Sequence, residues 1–351
     1  MAMQWNPALE QMQPYQVPSS TGLIKLDAME NPFGLPPEVV QAFAQRVAAL
    51  PTNRYPDAAG QALKEALAAE FPAPPGYACV LGNGSDELIS LLMTAVLRPG
   101  ACVLAPEPCF VMYRHSAQAL GLNYQAVPLQ PDFSLDMDAT LAAIEREQPA
   151  LFFLASPNNP TGNLYSEADI LRLAAACPGL FVLDQAYIPY ADQDGAAIAS
   201  QAPNVVLLRT LSKWGLAGLR LGFVQAAPAV CEQLEKVRPP YNTNVLSQEL
   251  GLLCLQHAQA FAAQVEVLKE QRSWLAQALA RPDVTVFPSA ANFLLLRVPD
   301  APAWHAQLRD ADRILVKCLH GGHPQLEHCL RVSVGTPEEN RALAAAWAKL
   351  T

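Results

Sequence analysis

The chain has 351 residues, of which 51% are hydrophobic and 16% charged, and its formal net charge is −9. These values are typical of a compact globular protein with one large or two moderate domains, and they argue against a disordered chain. The negative charge and the scattered basic residues argue against nucleic acid and anionic membrane surfaces as partners.

The cysteines and the apolar runs indicate the compartment. The eight cysteines include no CxxC pair, so we expect reduced thiols rather than a disulfide framework or a metal site. The start of the chain, MAMQWNPALEQMQPYQ, lacks the basic and apolar regions of a signal peptide. The apolar runs are too short to span a bilayer. The expected location is therefore the cytoplasm.

Helices and short apolar strands alternate through the first two thirds of the chain. Helical periodicity is found in PEVVQAFAQRVAAL (37–50), QALKEALAAEF (61–71), SDELISLLMTAVL (85–97) and EADILRLAAAC (167–177). Strand-like runs are found in ACVL (78–81), ACVLAP (101–106), LFFLA (151–155), LFVLD (180–184) and VVLLR (205–209). Strands this apolar, separated by helices, predict a largely parallel sheet with helices on both faces.

The pattern changes after about residue 245. A long helical stretch is followed by three strand-like runs, VTVFP (284–288), NFLLLRV (292–298) and CLRVSVG (329–335). We therefore predict a large α/β domain over residues 35–245. A smaller α+β domain is predicted from residues 1–34 together with residues 246–351.

Polar segments follow the carboxyl ends of four predicted strands. They are GNGSDE (82–87), SPNNPTG (156–162), DQAY (184–187) and TLSK (210–213). Ligands of parallel α/β sheets bind beyond these strand ends. The segments would bring together a phosphate-binding helix start, an amide, an acid with a phenol, and a lysine. Each segment alone is also explained as a helix cap or a turn. Caps and turns do not explain why all four segments are expected at the same edge of the sheet.

One cofactor requires this set of groups. Pyridoxal 5′-phosphate (PLP) needs a lysine to carry it as a Schiff base and an acid to keep its ring nitrogen protonated. It also needs a donor to its phenolic oxygen and an anchor for its phosphate. The candidate lysine is Lys213, in LRTLSKWGLAGLRLGF (208–223), and the candidate acid is Asp184.

Nine motifs, in order along nearly the whole chain, resemble one family. They are MENPFG (29–34), NRYPD (53–57), GNGSDE (82–87), SPNNPTG (156–162), LDQAY (183–187), LRTLSKWGLAGLRLGF (208–223), PPYNTN (239–244), ANFLLLR (291–297) and CLRVSVGTPEEN (329–340). The chain resembles the fold-type-I PLP-dependent aminotransferases and is most similar to the histidinol-phosphate aminotransferases. That fold has a large domain, with a mostly parallel seven-stranded sheet between helices, and a smaller α+β domain. The implied reaction moves the amino group of L-histidinol phosphate to 2-oxoglutarate, giving imidazole acetol phosphate and glutamate.

The resemblance also implies roles for the residues of the cofactor site. Lys213 would form the Schiff base and shuttle the proton, and Asp184 would pair with the ring nitrogen. Tyr187 and Asn159 would hydrogen-bond the phenolic oxygen, and Phe110 would stack on the ring. The residues expected to hold the phosphate are Ser85, Asp86, Ser212 and Arg220.

The substrate and the partner subunit are implied in the same way. Arg331 would bind the anionic end of the substrate, which its guanidinium does equally well for a carboxylate or a phosphate. Tyr15, Asn31 and Lys317 would complete the substrate pocket. Tyr55 would reach the cofactor phosphate of the neighbouring subunit, so the active unit would be a homodimer.

The chain departs from the family pattern at three positions. Gln185 stands where an acidic residue is usual, and we expect it to face away from the cofactor. Lys317 stands where a second arginine commonly contacts the substrate phosphate. It keeps the positive charge but lacks the planar guanidinium that can donate two parallel hydrogen bonds. Phe110 replaces a frequent tyrosine and loses only its hydroxyl. The neighbouring His320 and His323 are either pocket residues or polar loop residues, and we favour the second interpretation.

These departures leave three alternatives open. An aromatic or broad-specificity amino-acid aminotransferase would use Arg331 to bind a carboxylate. A lyase resembling threonine-phosphate decarboxylase would use the same cofactor frame but release carbon dioxide. A cofactor-binding regulatory protein is the alternative without catalysis. The first two predict the same roles for Lys213 and Asp184, so only substrates and products distinguish them.

Overall fold

The computed structural model describes residues 5–14 and 16–351. Within them the strands are β1 (Ile24–Leu26), β2 (Ala78–Asn83), β3 (Cys102–Glu107), β4 (Asn123–Pro128), β5 (Leu151–Ala155), β6 (Leu180–Asp184), β7 (Val205–Thr210), β8 (Leu221–Ala226), β9 (Thr285–Val286), β10 (Phe293–Arg297), β11 (Ile314–Cys318) and β12 (Cys329–Ser333). The α-helices are α1 (Pro37–Val47), α2 (Gln61–Glu70), α3 (Ser85–Ala95), α4 (Met112–Ala119), α5 (Met137–Glu147), α6 (Glu167–Ala176), α7 (Gly195–Gln201), α8 (Pro228–Val237), α9 (Val245–Gln256), α10 (Ala258–Ala278), α11 (Ala301–Asp310) and α12 (Pro337–Trp347).

The larger sheet has seven strands in the order β2-β8-β7-β6-β5-β3-β4. Neighbours from β7 to β4 are parallel, and β8 runs antiparallel to both of its neighbours. Successive residues of β5 belong to different cores, because Phe152 packs in the cluster on one face and Phe153 in the cluster on the other. A strand buried on both faces has no polar alternation, which is why LFFLA is apolar throughout.

The smaller sheet has five strands in the order β1-β11-β12-β10-β9. Strand β1 pairs in parallel with β11, and the other neighbours are antiparallel. Its core contains two large buried rings, Trp304 and Trp347, which meet edge to face at 5.1 Å. The N-terminal strand thus lies beside strands from the far end of the chain.

The observed elements differ from the predicted ones in the division of one helix and in several elements that were not predicted. The long helical stretch is divided at His257 into α9 and α10, since His257 has φ −113° and ψ 28°. Strands β1, β4, β8 and β11 were not predicted. Strand β4 is an edge strand with one buried residue, and β8 contains Gly222 within its apolar residues. The domain boundaries stay a prediction.

None of the described helices combines the length and the apolar character needed to cross a membrane. The same part of the chain brings together no group of three His, Cys, Asp or Glu side chains able to hold a metal ion.

Candidate active site

The carboxyl ends of β5, β6 and β7 meet the start of α3 around a cavity of about 100 Å³, called here the inner cavity. Nine of the ten residues predicted to bind the cofactor line it: Ser85, Asp86, Phe110, Asn159, Asp184, Tyr187, Ser212, Lys213 and Arg220. Met29 and Thr210, which were not predicted, line it as well. Parallel strands position these groups together because their carboxyl ends lie at the same edge of the sheet.

Lys213 lies in the short helical turn Ser212–Leu216, which follows β7. Its Nζ donates a hydrogen bond to the carbonyl oxygen of Ala28 at 3.1 Å and lies 5.8 Å from the centroid of the Tyr187 ring. Burial, with a contribution from the Arg331 charge, lowers the pKa of Lys213 to about 8. At neutral pH this amine is therefore neutral far more often than an ordinary lysine, as a nucleophile must be.

Asp184 ends β6 and is buried, with 4% of its surface exposed. Its Oδ1 accepts a hydrogen bond from the backbone N–H of Ala186 at 3.0 Å, and its Oδ2 accepts one from the Tyr113 hydroxyl at 2.5 Å. Burial raises the pKa of Asp184 to about 6, although both hydrogen bonds act in the opposite direction. A cationic partner in the inner cavity would therefore stabilise its ionised form.

Tyr113 is a component of the site that the sequence did not reveal. It lies on α4 and is fully buried. Its ring stacks on Phe153 with centroids 4.5 Å apart and meets Phe110 edge to face at 5.7 Å. One side chain thus connects the aromatic wall of the inner cavity to the carboxylate of Asp184. In the sequence only Phe110 of PEPCFVMY was recognised.

The start of α3 is suited to bind an anion. Its first backbone N–H groups have no partner in the preceding turn, and the helix dipole favours negative charge there. Gly84, before the helix, has φ +84°, and a Cβ atom at this residue would lie 2.4 Å from Nη2 of Arg220. Arg220 also pairs with Asp86 at 3.1 Å. Asp86 can therefore assist an anion through its backbone N–H, while its carboxylate binds the arginine.

Asn159 and Arg331 form a buried pair between the two sheets. The Oδ1 atom of Asn159 accepts a hydrogen bond from Nη1 of Arg331 at 2.5 Å, so the amide nitrogen of Asn159 keeps its two donors. Nη2 of Arg331 donates to the carbonyl oxygen of Asp27 at 2.9 Å. This orientation agrees with the predicted role of Asn159 as a donor to a ligand oxygen.

A second cavity of about 410 Å³, called here the outer cavity, shares Met29, Phe110 and Asn159 with the inner one. Lys317 on β11 and Arg331 on β12 both line it and are directly opposite each other in the strand register. Side chains opposite each other in an antiparallel pair project from the same face, so the outer cavity has two neighbouring cations.

The position of the loop between β11 and β12 differs from the expected one. His320 and His323 were interpreted as polar loop residues, but both line the outer cavity. The reason is the short helical turn Pro324–Leu326, which follows His323 and contains the buried Leu326. The loop therefore folds against the molecule rather than extending into solvent.

Asn31 lies away from both cavities. Its Nδ2 donates to the carbonyl oxygen of Trp214 at 3.2 Å and to Oε1 of Gln264 at 3.0 Å. Its Oδ1 accepts a hydrogen bond from the backbone N–H of Phe33 at 2.9 Å. These contacts give Asn31 a structural role in this subunit. Tyr15, the other predicted lining residue, lies outside the described residues.

Two further predicted positions lie outside the cavities of this chain. Tyr55 is 80% exposed and stacks on Tyr241 with ring centroids 4.4 Å apart. Gln185 is buried, and its Oε1 accepts a hydrogen bond from Nε of Arg209 at 3.0 Å. Gln185 therefore faces away from the inner cavity, as expected.

Comparison with known proteins adds the family. The model of the family described as aminotransferase class I and II matches residues 21–346. This chain belongs to that family. A histidinol-phosphate aminotransferase of Chromobacterium violaceum is 50% identical over 341 residues, which are 97% of this chain and 96% of that protein. Histidinol-phosphate aminotransferase 2 of Cupriavidus pinatubonensis is 48% identical over 340 residues, 95% of this chain and 93% of that protein.

A solved structure agrees with the fold of this class I and II aminotransferase. Histidinol-phosphate aminotransferase from Sinorhizobium meliloti, in complex with pyridoxal-5′-phosphate, has a TM-score of 0.89 and 26% sequence identity. The match covers 99% of this chain and 97% of that one. The predictions of a fold-type-I α/β architecture and of an aminotransferase are confirmed.

Proposed function

We propose that this protein is a PLP-dependent transaminase that moves the amino group of L-histidinol phosphate to 2-oxoglutarate, giving imidazole acetol phosphate and glutamate. The observation that carries the proposal is the arrangement of the two cavities. A reactive lysine, Lys213, lies in the inner one, and two adjacent cations, Lys317 and Arg331, lie in the outer one. Relatives of about half-identical sequence and nearly full length bear the matching name.

The donor set of the inner cavity fits PLP. When bound, PLP supplies an aldehyde for the amino group and an electron-accepting ring. Lys213 would hold it covalently through Nζ, and Asp184 would hold the protonated ring nitrogen. The start of α3, with Arg220 and Ser212, offers the N–H, guanidinium and hydroxyl donors that a phosphate requires.

The protein's part in the reaction is to position the substrate and to move one proton. Lys213 Nζ would act as the base for the proton on the substrate Cα. Its lowered pKa suits this exchange, because an amine with a pKa of about 8 both accepts and returns a proton near neutral pH. The buried walls keep water from that atom.

The outer cavity binds the phosphate of the amino donor in this proposal. Arg331 is buried and offers a planar fork of donors, whereas Lys317 adds a compact charge from the neighbouring strand. Two cations suit a dianionic phosphate better than a single carboxylate. This difference favours a phosphorylated donor over an aromatic amino acid.

The test is a half-reaction without any 2-oxo acid, followed by the loss of the visible absorbance of the cofactor. The purified protein is titrated separately with L-histidinol phosphate, L-phenylalanine and O-phospho-L-threonine. We expect fast bleaching with histidinol phosphate alone. In the Lys317→Ala variant the concentration giving half-maximal bleaching should rise roughly 10-fold to 100-fold, as for one lost charge-assisted contact. Lys236→Ala, on the exposed side of α8, is the matched control.

Other outcomes separate the alternatives. Bleaching mainly with phenylalanine would make the protein an aromatic aminotransferase and would contradict the proposed donor. Release of carbon dioxide from phosphothreonine without a 2-oxo acid would identify a lyase. No spectral change with any donor would favour a cofactor-binding protein without catalysis.

We also propose a cytoplasmic homodimer in which Tyr55 reaches the cofactor phosphate of the neighbouring subunit. The support is the exposure of Tyr55, since an aromatic ring 80% exposed beside a second exposed aromatic is typical of a surface that a partner covers. Tyr55→Phe should weaken PLP binding about 10-fold by removing one hydroxyl donor to a phosphate. Sedimentation of the active enzyme as a monomer would refute the shared site.

A further inference from the structure

His323 lies on the loop that connects the two cation-bearing strands, β11 and β12, and it lines the outer cavity. Glu107 and Arg114 line the same cavity and act electrostatically on His323. Apolar side chains, among them Phe110 and Leu326, complete the lining. The outer cavity therefore combines a cationic pair, an apolar wall and a histidine.

The hydrogen bonding of His323 determines which of its nitrogens is a donor. Nδ1 accepts a hydrogen bond from the backbone N–H of Gln325 at 3.2 Å, so the proton of the neutral ring is on Nε2. Burial lowers the pKa of His323, which keeps the ring neutral near pH 7. Within the described residues His323 hydrogen-bonds through Nδ1, which leaves Nε2 available to a ligand in the outer cavity.

The other polar groups near His323 are engaged. Both carboxylate oxygens of Glu107 accept hydrogen bonds from Arg114, at 3.1 and 2.6 Å, and one also accepts from the Tyr124 hydroxyl at 2.8 Å. His320 lies 2.8 Å from a carboxylate oxygen of Glu327, measured from Nδ1. Nδ1 of His320 also accepts a hydrogen bond from the backbone N–H of His328 at 3.1 Å, so His320 is bound to its own loop and to a carboxylate. In the described part of the chain, His323 has no such carboxylate contact at its ring nitrogens, and it offers the cavity a neutral N–H at Nε2.

We propose that His323 is a specificity-determining residue that recognises the imidazole ring of the amino donor. Its Nε2–H donates to the unprotonated nitrogen of that ring while the cationic pair binds the phosphate. This rests on the proposed function and deepens it. A phenyl ring of similar size has no acceptor, so a donor carrying it would leave the His323 N–H without a partner. Sites built to hydrogen-bond a substrate group discriminate strongly against analogues that lack it.

The test compares two amino donors that differ only in their ring, L-histidinol phosphate and L-phenylalaninol phosphate. We expect His323→Ala to lower kcat/KM for histidinol phosphate roughly 10-fold and to leave the value for phenylalaninol phosphate unchanged. His323→Gln should recover most of the loss, because its side-chain amide nitrogen can donate from near the position of Nε2. His328→Asn, on the same loop but outside both cavities, is the control.

The outcomes distinguish this assignment from the proposed function. Equal losses on both donors, or no loss on either, would overturn the role of His323 while transamination of histidinol phosphate by the unmodified enzyme still stood. Failure of His323→Gln to recover activity above His323→Ala would also contradict the hydrogen bond. An unmodified enzyme that does not act on histidinol phosphate would overturn both. The visible spectrum of each loaded variant reports whether its inner cavity is intact.

Discussion

Replacing Lys213 by alanine should lower kcat/KM for transamination by about a thousandfold or more, because covalent attachment and the proton transfer at the substrate Cα both depend on one amine. Lys213→Arg keeps the charge and most of the bulk but provides neither function, so we expect an equal loss. Lys236→Ala should keep full activity. The measurement is the rate of glutamate formation at saturating cofactor, which prevents weaker PLP binding from being mistaken for lost chemistry.

The pH dependence of covalent capture provides a second measurement on the same residue. Only the neutral amine attacks an aldehyde, so the capture rate of PLP should rise with pH and level off above about 8, the lowered pKa of Lys213. A profile that continues to rise toward pH 10 would indicate an ordinary solvated lysine. Transamination that survives in Lys213→Ala would move the catalytic amine to another residue.

Replacing Asp184 by asparagine should lower kcat by roughly 100-fold to 1,000-fold, since it removes a fixed negative charge beside the cofactor ring in a buried site. Tyr113→Phe is a milder variant of the same site, because it leaves the Asp184 carboxylate in place but removes the hydroxyl that donates to its Oδ2 at 2.5 Å. For that variant we expect about a 10-fold weaker affinity for PLP. Steady-state transamination kinetics at saturating PLP measure the loss of kcat in Asp184→Asn, and absorbance titration of the cofactor-free protein measures the PLP affinity of Tyr113→Phe.

The sign of the pH effect follows from the pKa of Asp184, which burial raises to about 6 in the free site. A cationic ring nitrogen binds the ionised carboxylate, so PLP affinity should fall as the pH drops below about 6 and the carboxylate takes up a proton. Asp184→Asn should lack this inflection and keep the dependence that arises from the cofactor phosphate. Identical profiles for the two proteins would refute the pairing.

The main features of the fold and of the inner cavity could be predicted because each depends on a local pattern. The strands β5, β6 and β7 are short apolar runs followed by polar residues, so their carboxyl ends could be located in the sequence. Lys213 and Asp184 could be predicted as site residues because Asp184 ends β6 and Lys213 comes three residues after β7. The parallel sheet then brings together residues that are far apart in the chain.

Other parts of the site depend on packing that no local pattern records. Tyr113 acts from inside a helix, through a contact with a residue 71 positions away, so it resembles an ordinary core aromatic in the sequence. His323 reaches the outer cavity because its loop folds back over Leu326. Asn31 was expected in the substrate pocket, but three hydrogen bonds hold its amide elsewhere. Strand β8 was not recognised because Gly222 interrupts its apolar residues.

Consecutive carbonyl groups of one short N-terminal segment accept hydrogen bonds from two basic side chains of the candidate active site. The oxygen of Asp27 accepts a hydrogen bond from Arg331, and the oxygen of Ala28 accepts one from Lys213. Every amino acid carries such a carbonyl, so these two contacts tolerate many side chains at positions 27 and 28 as long as the backbone path is kept. An insertion or deletion there would shift both acceptors together. The length of this segment therefore sets the spacing of the Lys213 and Arg331 side chains, whereas the identity of its own side chains does not.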